Sequence, residues 1–138
     1  MTEFTLHKQL EADSILIRNL ALSQLRLQNQ KAAPWLILVP RRPDVTELHQ
    51  LSEQDGALLM TEITMASRAL VKLYAPDKIN VGALGNVVPQ LHIHVVARFT
   101  KDSAWPQPVW GKFAPQPYSL PALAELKKQF NEDSLWAT

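Results

Sequence analysis

Two short stretches near the start of the chain, residues 14–18 and 22–28, alternate between apolar and polar positions. The alternating apolar residues are Ile15, Ile17, Leu25 and Leu27. A period of two is typical of strands with one buried face, so both stretches are predicted to be antiparallel strands. Beyond a polar turn at residues 29–31, residues 35–39 are apolar at every position. That run, which ends at Pro40, predicts a central strand covered on both faces.

The longest helical pattern begins at Ser52, a favourable N-cap residue that is followed by the acidic residues Glu53 and Asp55. Apolar residues then recur at spacings of four, three, four and three: Leu59, Ile63, Ala66, Leu70 and Leu73. This spacing places them on one face of a helix of about 20 residues, which Pro76 ends. A shorter helix is predicted over residues 121–130, with a proline in its first turn.

The last strong alternation covers residues 89–99 and predicts a further strand. One face is expected to hold Leu91, Ile93, Val95, Ala97 and Phe99, and the other Gln90, His92, His94, Val96 and Arg98. Because His92 and His94 are two strand positions apart, their Cα atoms should lie about 6.6 Å apart on one side of the sheet. Such a row can form the floor of a polar site or simply face water, and the spacing leaves both interpretations open.

A turn is predicted over residues 83–86, immediately before the histidine row. Gly85 allows the backbone to turn sharply, and Asn86 offers an amide donor beside the backbone N–H groups of the turn. These groups form a candidate phosphate-binding nest, although an ordinary hairpin turn needs the same glycine.

Composition narrows the class of protein. With 138 residues, 46% of them hydrophobic, the chain is expected to form a single domain over residues 1–138. Its core should span about residues 14–99, with a Trp- and Pro-rich tail and the C-terminal helix, residues 100–138, packed on it.

The net charge of +1 argues against a general nucleic-acid or membrane-surface binder. Cysteine is absent, which excludes disulfides, cysteine-bound zinc and a thiolate nucleophile. Because the first ten residues lack the apolar segment of a signal peptide, a cytoplasmic protein is expected.

The stretch Gln90-Leu91-His92-Ile93-His94-Val95-Val96 resembles the signature of the histidine triad family, in which three histidines alternate with apolar residues. Gln90 stands in the place of the first histidine. The resemblance covers about residues 14–99 and includes the segments 36–43, 51–55, 79–82 and 85–88 in the family's order. It implies an α+β fold: a mainly antiparallel sheet of about five strands, one long helix and a shorter C-terminal helix. It also implies a homodimer.

The resemblance further implies a nucleotide hydrolase or nucleotidyl transferase that acts at the α-phosphate and requires no metal or organic cofactor. His92 is the implied nucleophile, and His94 and Gln90 complete the catalytic row. The implied partner is a nucleotide substrate, with no membrane and no nucleic acid expected. The remaining expected contacts are Asn86 and Gly85 for the phosphate, and Asn80 and Asn29 for the nucleoside.

Two departures from the family pattern bear on the activity. Gln90 cannot exchange protons, although it can donate and accept hydrogen bonds, and Trp35 stands where many members carry another histidine. Substrates whose leaving groups depart easily, such as nucleoside phosphoramidates, sulfate anhydrides or dinucleoside polyphosphates, are therefore favoured. The alternatives are a catalytically weakened nucleotide-binding protein and, less favoured, a small interaction domain.

Four other residues are open to more than one interpretation, and two histidines have no assigned role. Arg41 and Arg42 are consistent with a solvated strand exit or with steering of an anionic nucleotide. The aromatic rings of Trp105 and Trp110 are suited to stacking on a base, to closing a dimer partner's site, or to burial as a clasp on the domain. His7 and His49 lie outside any constellation, and neither is assigned a role.

Overall fold

Residues 3–137, the part of the chain that the computed structural model describes, form a five-stranded antiparallel sheet and three α-helices. The strands are β1 (Ser14–Asn19), β2 (Ser23–Gln28), β3 (Trp35–Pro40), β4 (Lys78–Gly82) and β5 (Ile93–Arg98). The helices are α1 (Lys8–Asp13), α2 (Glu53–Tyr74) and α3 (Leu120–Phe130). The strand order is β1-β2-β3-β5-β4. The predicted α+β fold is confirmed, whereas the short helix α1 and the 3₁₀ helices Leu48–Gln50 and Asp133–Leu135 were not predicted.

Strand β3 lies at the centre of the sheet and is buried along its whole length. Leu36 and Leu38 pack into the main core, which includes the apolar face of α2. Trp35, Ile37 and Val39 pack into a second cluster on the opposite face of the sheet. That cluster is completed by the N-terminal segment and by the tail, through Phe4, Leu6, Leu10, Val109, Trp110 and Phe113. The predicted central strand is therefore covered on both faces.

Strand β5 is shorter than predicted, because residues 89–92 lie outside its ladder. The N–H of Leu91 instead donates to the carbonyl of Val45, in the loop that precedes α2. The alternation of faces is as predicted, but the polar row does not face water. His92, His94 and Arg98 are only 7%, 8% and 1% exposed, since the N-terminal segment and the tail cover that face.

Helix α2 begins and ends where its sequence pattern predicts. The side chain of Ser52 accepts a hydrogen bond from the N–H of Asp55, and the helix ends at Ala75 in a left-handed conformation before Pro76. The pattern did not predict the burial of Glu62, which is 2% exposed on the core side of α2. Its carboxylate accepts hydrogen bonds from the N–H groups of Leu22 and Ser23, and so ties the β1–β2 hairpin to the helix. In the part of the chain described, no helix is long and apolar enough to cross a membrane.

The two arginines after β3 are partly exposed, and both have structural partners. The guanidinium of Arg41 donates to the carbonyls of Leu20 and Leu22 in the β1–β2 turn. Arg42 makes two hydrogen bonds to the carboxylate of Asp55, at 2.7 and 3.0 Å. Both side chains hold neighbouring elements against the exit of β3.

A buried ion pair fixes the start of the tail. The guanidinium of Arg98 donates twice to the carboxylate of Asp102, at 2.9 and 3.1 Å, and the two side chains are 1% and 6% exposed. The hydrogen bond from Arg98 is the largest cause that lowers the pKa of Asp102 to about 2. Asp102 also accepts the N–H groups of Ala104 and Trp105, so it organises the turn that leads into the tail.

We predict that Asp102→Asn lowers the free energy of unfolding by about 3 kcal/mol, because it leaves the charge of Arg98 buried without its partner. In the wild type the stabilisation by Asp102 is present above its ordinary pKa of 3.8 and is lost as the pH falls towards about 2. The variant should lack this part of the acid dependence. Urea unfolding between pH 7 and pH 2 measures both effects.

The matched control is Asp133→Asn, because Asp133 is 97% exposed and its nearest arginine nitrogen is 3.6 Å away. Its unfolding free energy should change by less than about 0.5 kcal/mol. Equal stability losses in the two variants would contradict the structural role of the Arg98–Asp102 pair.

Candidate active site

A cavity of about 230 Å³ opens at one end of the sheet. Three loops line it: residues 46–49 before α2, residues 83–85 after β4, and residues 90–92 before β5. The antiparallel pairing of β4 with β5 brings the last two loops together, since Gly82 lies opposite His94. The cavity therefore forms where the sequence predicts a turn beside the histidine row.

His92 lines this cavity with its ring held in one tautomer. Its Nδ1 atom lies 2.7 Å from the backbone carbonyl of Gln90. A carbonyl oxygen only accepts hydrogen bonds, so Nδ1 must carry the hydrogen and Nε2 of the neutral ring keeps its lone pair. A neutral, oriented imidazole with a lone pair on Nε2 is suited to nucleophilic attack.

The ring of His94 packs against that of His92 and is held in the opposite tautomer. The indole N–H of Trp35 donates to Nδ1 of His94 at 2.9 Å, so a neutral His94 carries its hydrogen on Nε2. Burial, together with the neighbouring His92, lowers the pKa of His94 to about 4. The two histidine rings are 4.9 Å apart and inclined at 73°. At neutral pH His94 is thus an uncharged hydrogen-bond donor.

The tail supplies a second tryptophan that contacts His94. The ring of Trp110 lies 5.5 Å from that of His94 and 6.3 Å from that of Trp35, and both contacts are edge-on. Gly82 makes room for it, since a Cβ atom there would lie 2.8 Å from the Trp110 ring. Trp105 stacks over the guanidinium of Arg98 at 5.6 Å. These contacts of Trp105 and Trp110 with residues of the sheet fit a clasp on the domain.

The amide of Gln90 is engaged by the N-terminal segment. Its Oε1 accepts the N–H of His7 at 2.8 Å, and its Nε2 donates to the carbonyl of Thr5 at 2.9 Å. Sequence reasoning missed this contact, and it also missed His49, which lies in the cavity wall. His7 precedes the first predicted strand, and His49 lies between the segments 36–43 and 51–55, so neither histidine belongs to a periodic element that would have indicated its position.

The other predicted site residues lie at different distances from the cavity. Gly85 lines it with a φ of +74°, a left-handed conformation that suits glycine, and Asn86 is the exposed residue that follows. The side-chain carbonyl of Asn80 accepts a hydrogen bond from Arg98 at 2.8 Å. That of Asn29 accepts the N–H of Tyr118 at 2.8 Å, just beyond the end of β2. The structure therefore brings His92, Gly85 and Gln90 together at the cavity. The other predicted site residues do not line it: His94, Asn86, Asn80 and Asn29.

The family model described as the HIT domain matches residues 9–101, which is about two thirds of the chain. The chain belongs to the histidine triad (HIT) family. Membership indicates a nucleotide hydrolase or transferase. Within residues 3–137, no group of three or more His, Cys, Asp or Glu side chains is arranged to hold a metal ion.

Solved structures of three histidine triad proteins are closely similar to the chain. The protein from Sinorhizobium meliloti 1021 is 43% identical, with a TM-score of 0.90 over 94% of this chain and 96% of that chain. The protein from Bradyrhizobium japonicum is 44% identical, with a TM-score of 0.89 over 93% and 96%. The protein from Marinobacter aquaeolei VT8 is 40% identical, with a TM-score of 0.89 over 94% and 95%. No curated protein sequence matches the chain.

Proposed function

We propose that this protein hydrolyses or transfers nucleotidyl groups at the α-phosphate through a covalent nucleotidyl-histidine intermediate on His92. The observation that carries the proposal is the 2.7 Å hydrogen bond between Nδ1 of His92 and the carbonyl of Gln90. It leaves the Nε2 lone pair of a cavity-lining imidazole available for attack. Membership of the histidine triad family supports a nucleotide as the substrate.

The reaction proceeds in two displacements at phosphorus. Nε2 of His92 bonds to the α-phosphorus while the bond to the leaving group breaks, and the leaving group departs with that electron pair. The ring then carries a positive charge, which strengthens the hydrogen bond from Nδ1 to the carbonyl of Gln90. Water next displaces Nε2 from phosphorus, loses a proton, and releases a nucleoside monophosphate and neutral His92. A hydroxyl or phosphate acceptor in place of water makes the same enzyme a transferase.

Hydrogen-bond donors around the cavity stabilise the charge on the transferring group. His94 donates from Nε2 to a phosphoryl oxygen, and Asn86 offers its side-chain amide. No hydrogen bond within residues 3–137 uses the backbone N–H groups of residues 84–88, so these groups, beside Gly85, are available to an anion. Asn80 and Asn29 remain the predicted nucleoside contacts, and because the protein engages the side-chain oxygen of each, the amide N–H groups are the atoms that would contact the nucleoside.

The groups beside the nucleophile favour substrates whose leaving groups need little protonation. Gln90 is a neutral amide that is already bonded to Thr5 and His7, and the low pKa of His94, about 4, makes it a neutral donor at pH 7. Without a strong general acid, esters of ordinary alcohols lose a contribution of about 10²–10⁴-fold. We propose two substrate classes: dinucleoside polyphosphates, whose phosphate leaving group departs as an anion, and nucleoside phosphoramidates, whose bridging nitrogen takes up a proton from solvent and departs as an amine.

We expect His92→Ala to reduce hydrolysis of a fluorogenic adenosine phosphoramidate on the order of 10³-fold or more, because the nucleophile is removed. Binding of AMP, followed by calorimetry, should persist. The control His7→Asn keeps a side chain suited to cap α1 and should retain wild-type turnover. Tight AMP binding without turnover in the wild type would contradict the proposal and favour a weakened nucleotide-binding protein.

The rate should depend steeply on the leaving group. Among esters of AMP, we expect the p-nitrophenyl ester to react at least about 10²-fold faster than an alkyl ester, because no general acid assists the poorer leaving group. Single-turnover rates of the two substrates measure the ratio. Similar rates would show that a cavity side chain donates a proton, and His49→Gln would then test whether His49 is that donor.

We also propose a homodimer that buries the face formed by α2 and the edge strand β4. Three apolar side chains there are exposed by 62%, 48% and 46%: Met60, Val81 and Leu84. Met60 and Val81 line an apolar groove of about 500 Å³ between α2 and β4, and Leu84 follows Ala83 of the same groove wall. A second copy of the chain would cover these side chains and the open edge of β4.

Sedimentation velocity at micromolar concentration should show the wild type at twice the mass of one chain. Val81→Asp should shift it to the monomer, because the substitution places a charge in the middle of the proposed interface. Leu120→Asp, at an 81% exposed position on α3, is the matched control and should leave the dimer intact. A wild type that sediments only as a monomer would contradict the homodimer.

A further inference from the structure

Two tryptophans contact His94, and only one of them forms a hydrogen bond with its ring. Trp35 donates its indole N–H to Nδ1 of His94 at 2.9 Å, with the ring centroids 5.6 Å apart. Trp110 packs edge-on against the same ring at 5.5 Å, and its own N–H has no hydrogen-bond partner among residues 3–137. Both therefore pack against His94, but only Trp35 bonds to one of its nitrogens.

The hydrogen bond from Trp35 determines what His94 can offer a substrate. An indole N–H is a donor only, so Nδ1 of His94 must present a lone pair and Nε2 must carry the hydrogen. If the hydrogen moved to Nδ1, it would face the N–H of Trp35, and Nε2 would present a lone pair to an anionic phosphoryl oxygen. His92, held by a carbonyl acceptor, has the reverse arrangement.

We propose that Trp35 is a positioning residue that holds His94 in its Nε2–H tautomer, so that His94 serves the site as a hydrogen-bond donor through Nε2. This inference rests on the proposed nucleotidyl transfer at His92. Trp35 stands where the family resemblance predicts another histidine. An imidazole can donate or accept and can change its charge, whereas the indole of Trp35 only donates and does not titrate.

The surroundings of His94 favour the neutral ring. Burial lowers its pKa to about 4, and His92 is the titratable neighbour that adds to the lowering. The tryptophans that pack on it from β3 and from the tail carry no charge, and the residue opposite it in β4 is Gly82. The N–H of Trp35 opposes protonation further, because it occupies the lone pair on Nδ1 that a second proton would need.

The test compares Trp35→Phe with Trp110→Phe, which remove the same N–H from two rings in contact with His94. Long-range ¹H–¹⁵N correlation spectra of the histidine rings report each tautomer, with His94 assigned from a His94→Ala variant. We expect the Nε2–H form in the wild type and in Trp110→Phe. In Trp35→Phe we expect a mixture with the Nδ1–H form and a raised pKa of His94.

Turnover of the adenosine phosphoramidate should fall in Trp35→Phe and stay unchanged in Trp110→Phe. Trp35→Phe should lower kcat/KM about tenfold, mainly through kcat, because one donor to the phosphoryl group is lost. Trp110→Phe should keep the kcat of the wild type, since the tautomer of His94 is unchanged.

A wild-type spectrum with the hydrogen of His94 on Nδ1 would overturn the proposal, and this measurement needs no variant to fold. An unchanged tautomer in Trp35→Phe would also overturn it. Should the wild type prove inactive, AMP affinity tests the donor role separately from the proposed reaction. Weaker AMP binding in Trp35→Phe than in Trp110→Phe then supports the proposal, and equal binding overturns it.

Discussion

The burial of β3 on both faces is the constraint on which the rest of the structure depends. One face is covered by the main core and α2, whereas the other must be covered by segments outside the sheet. The N-terminal segment and the aromatic tail supply that cover. They also enclose the polar row of β5, because β5 pairs directly with β3. The same packing that buries apolar surface therefore removes the two histidines from water and orients them.

The two residues that depart from the histidine triad pattern both acquire defined partners. Gln90 binds the backbone of residues 5–7 with its amide and the ring of His92 with its own carbonyl. Trp35 fixes the tautomer of His94. A site that lacks two titratable groups thus gains two fixed hydrogen-bonding contacts. In the reaction that we propose, such a site relies on a preorganised nucleophile and donors more than on proton transfer.

Hydrogen bonds from charged side chains hold neighbouring segments in register. Glu62 binds the β1–β2 turn to α2, Arg42 binds the exit of β3 to Asp55, and the Arg98–Asp102 pair sets the start of the tail. Glu62, Arg98 and Asp102 are buried, and the hydrogen bonds that each makes offset the cost of its removal from water. The tail can then place Trp110 against His94, some distance along the chain from the nearest strand.

The sequence by itself determined the longer helices and strands and the faces of the strands, because periodicity and capping are local and state which side of an element a residue occupies. The order of its motifs along the chain indicated the family. The sequence placed His92 and His94 on one row, the N-cap at Ser52 and the doubly covered strand β3. Only the tertiary structure decided which nitrogen of His94 carries the hydrogen and which groups the side chain of Gln90 binds. These contacts join residues 59 and 83 positions apart, Trp35 with His94 and His7 with Gln90. A hydrogen bond between distant residues depends on how separate elements pack, and no local pattern of side chains records it.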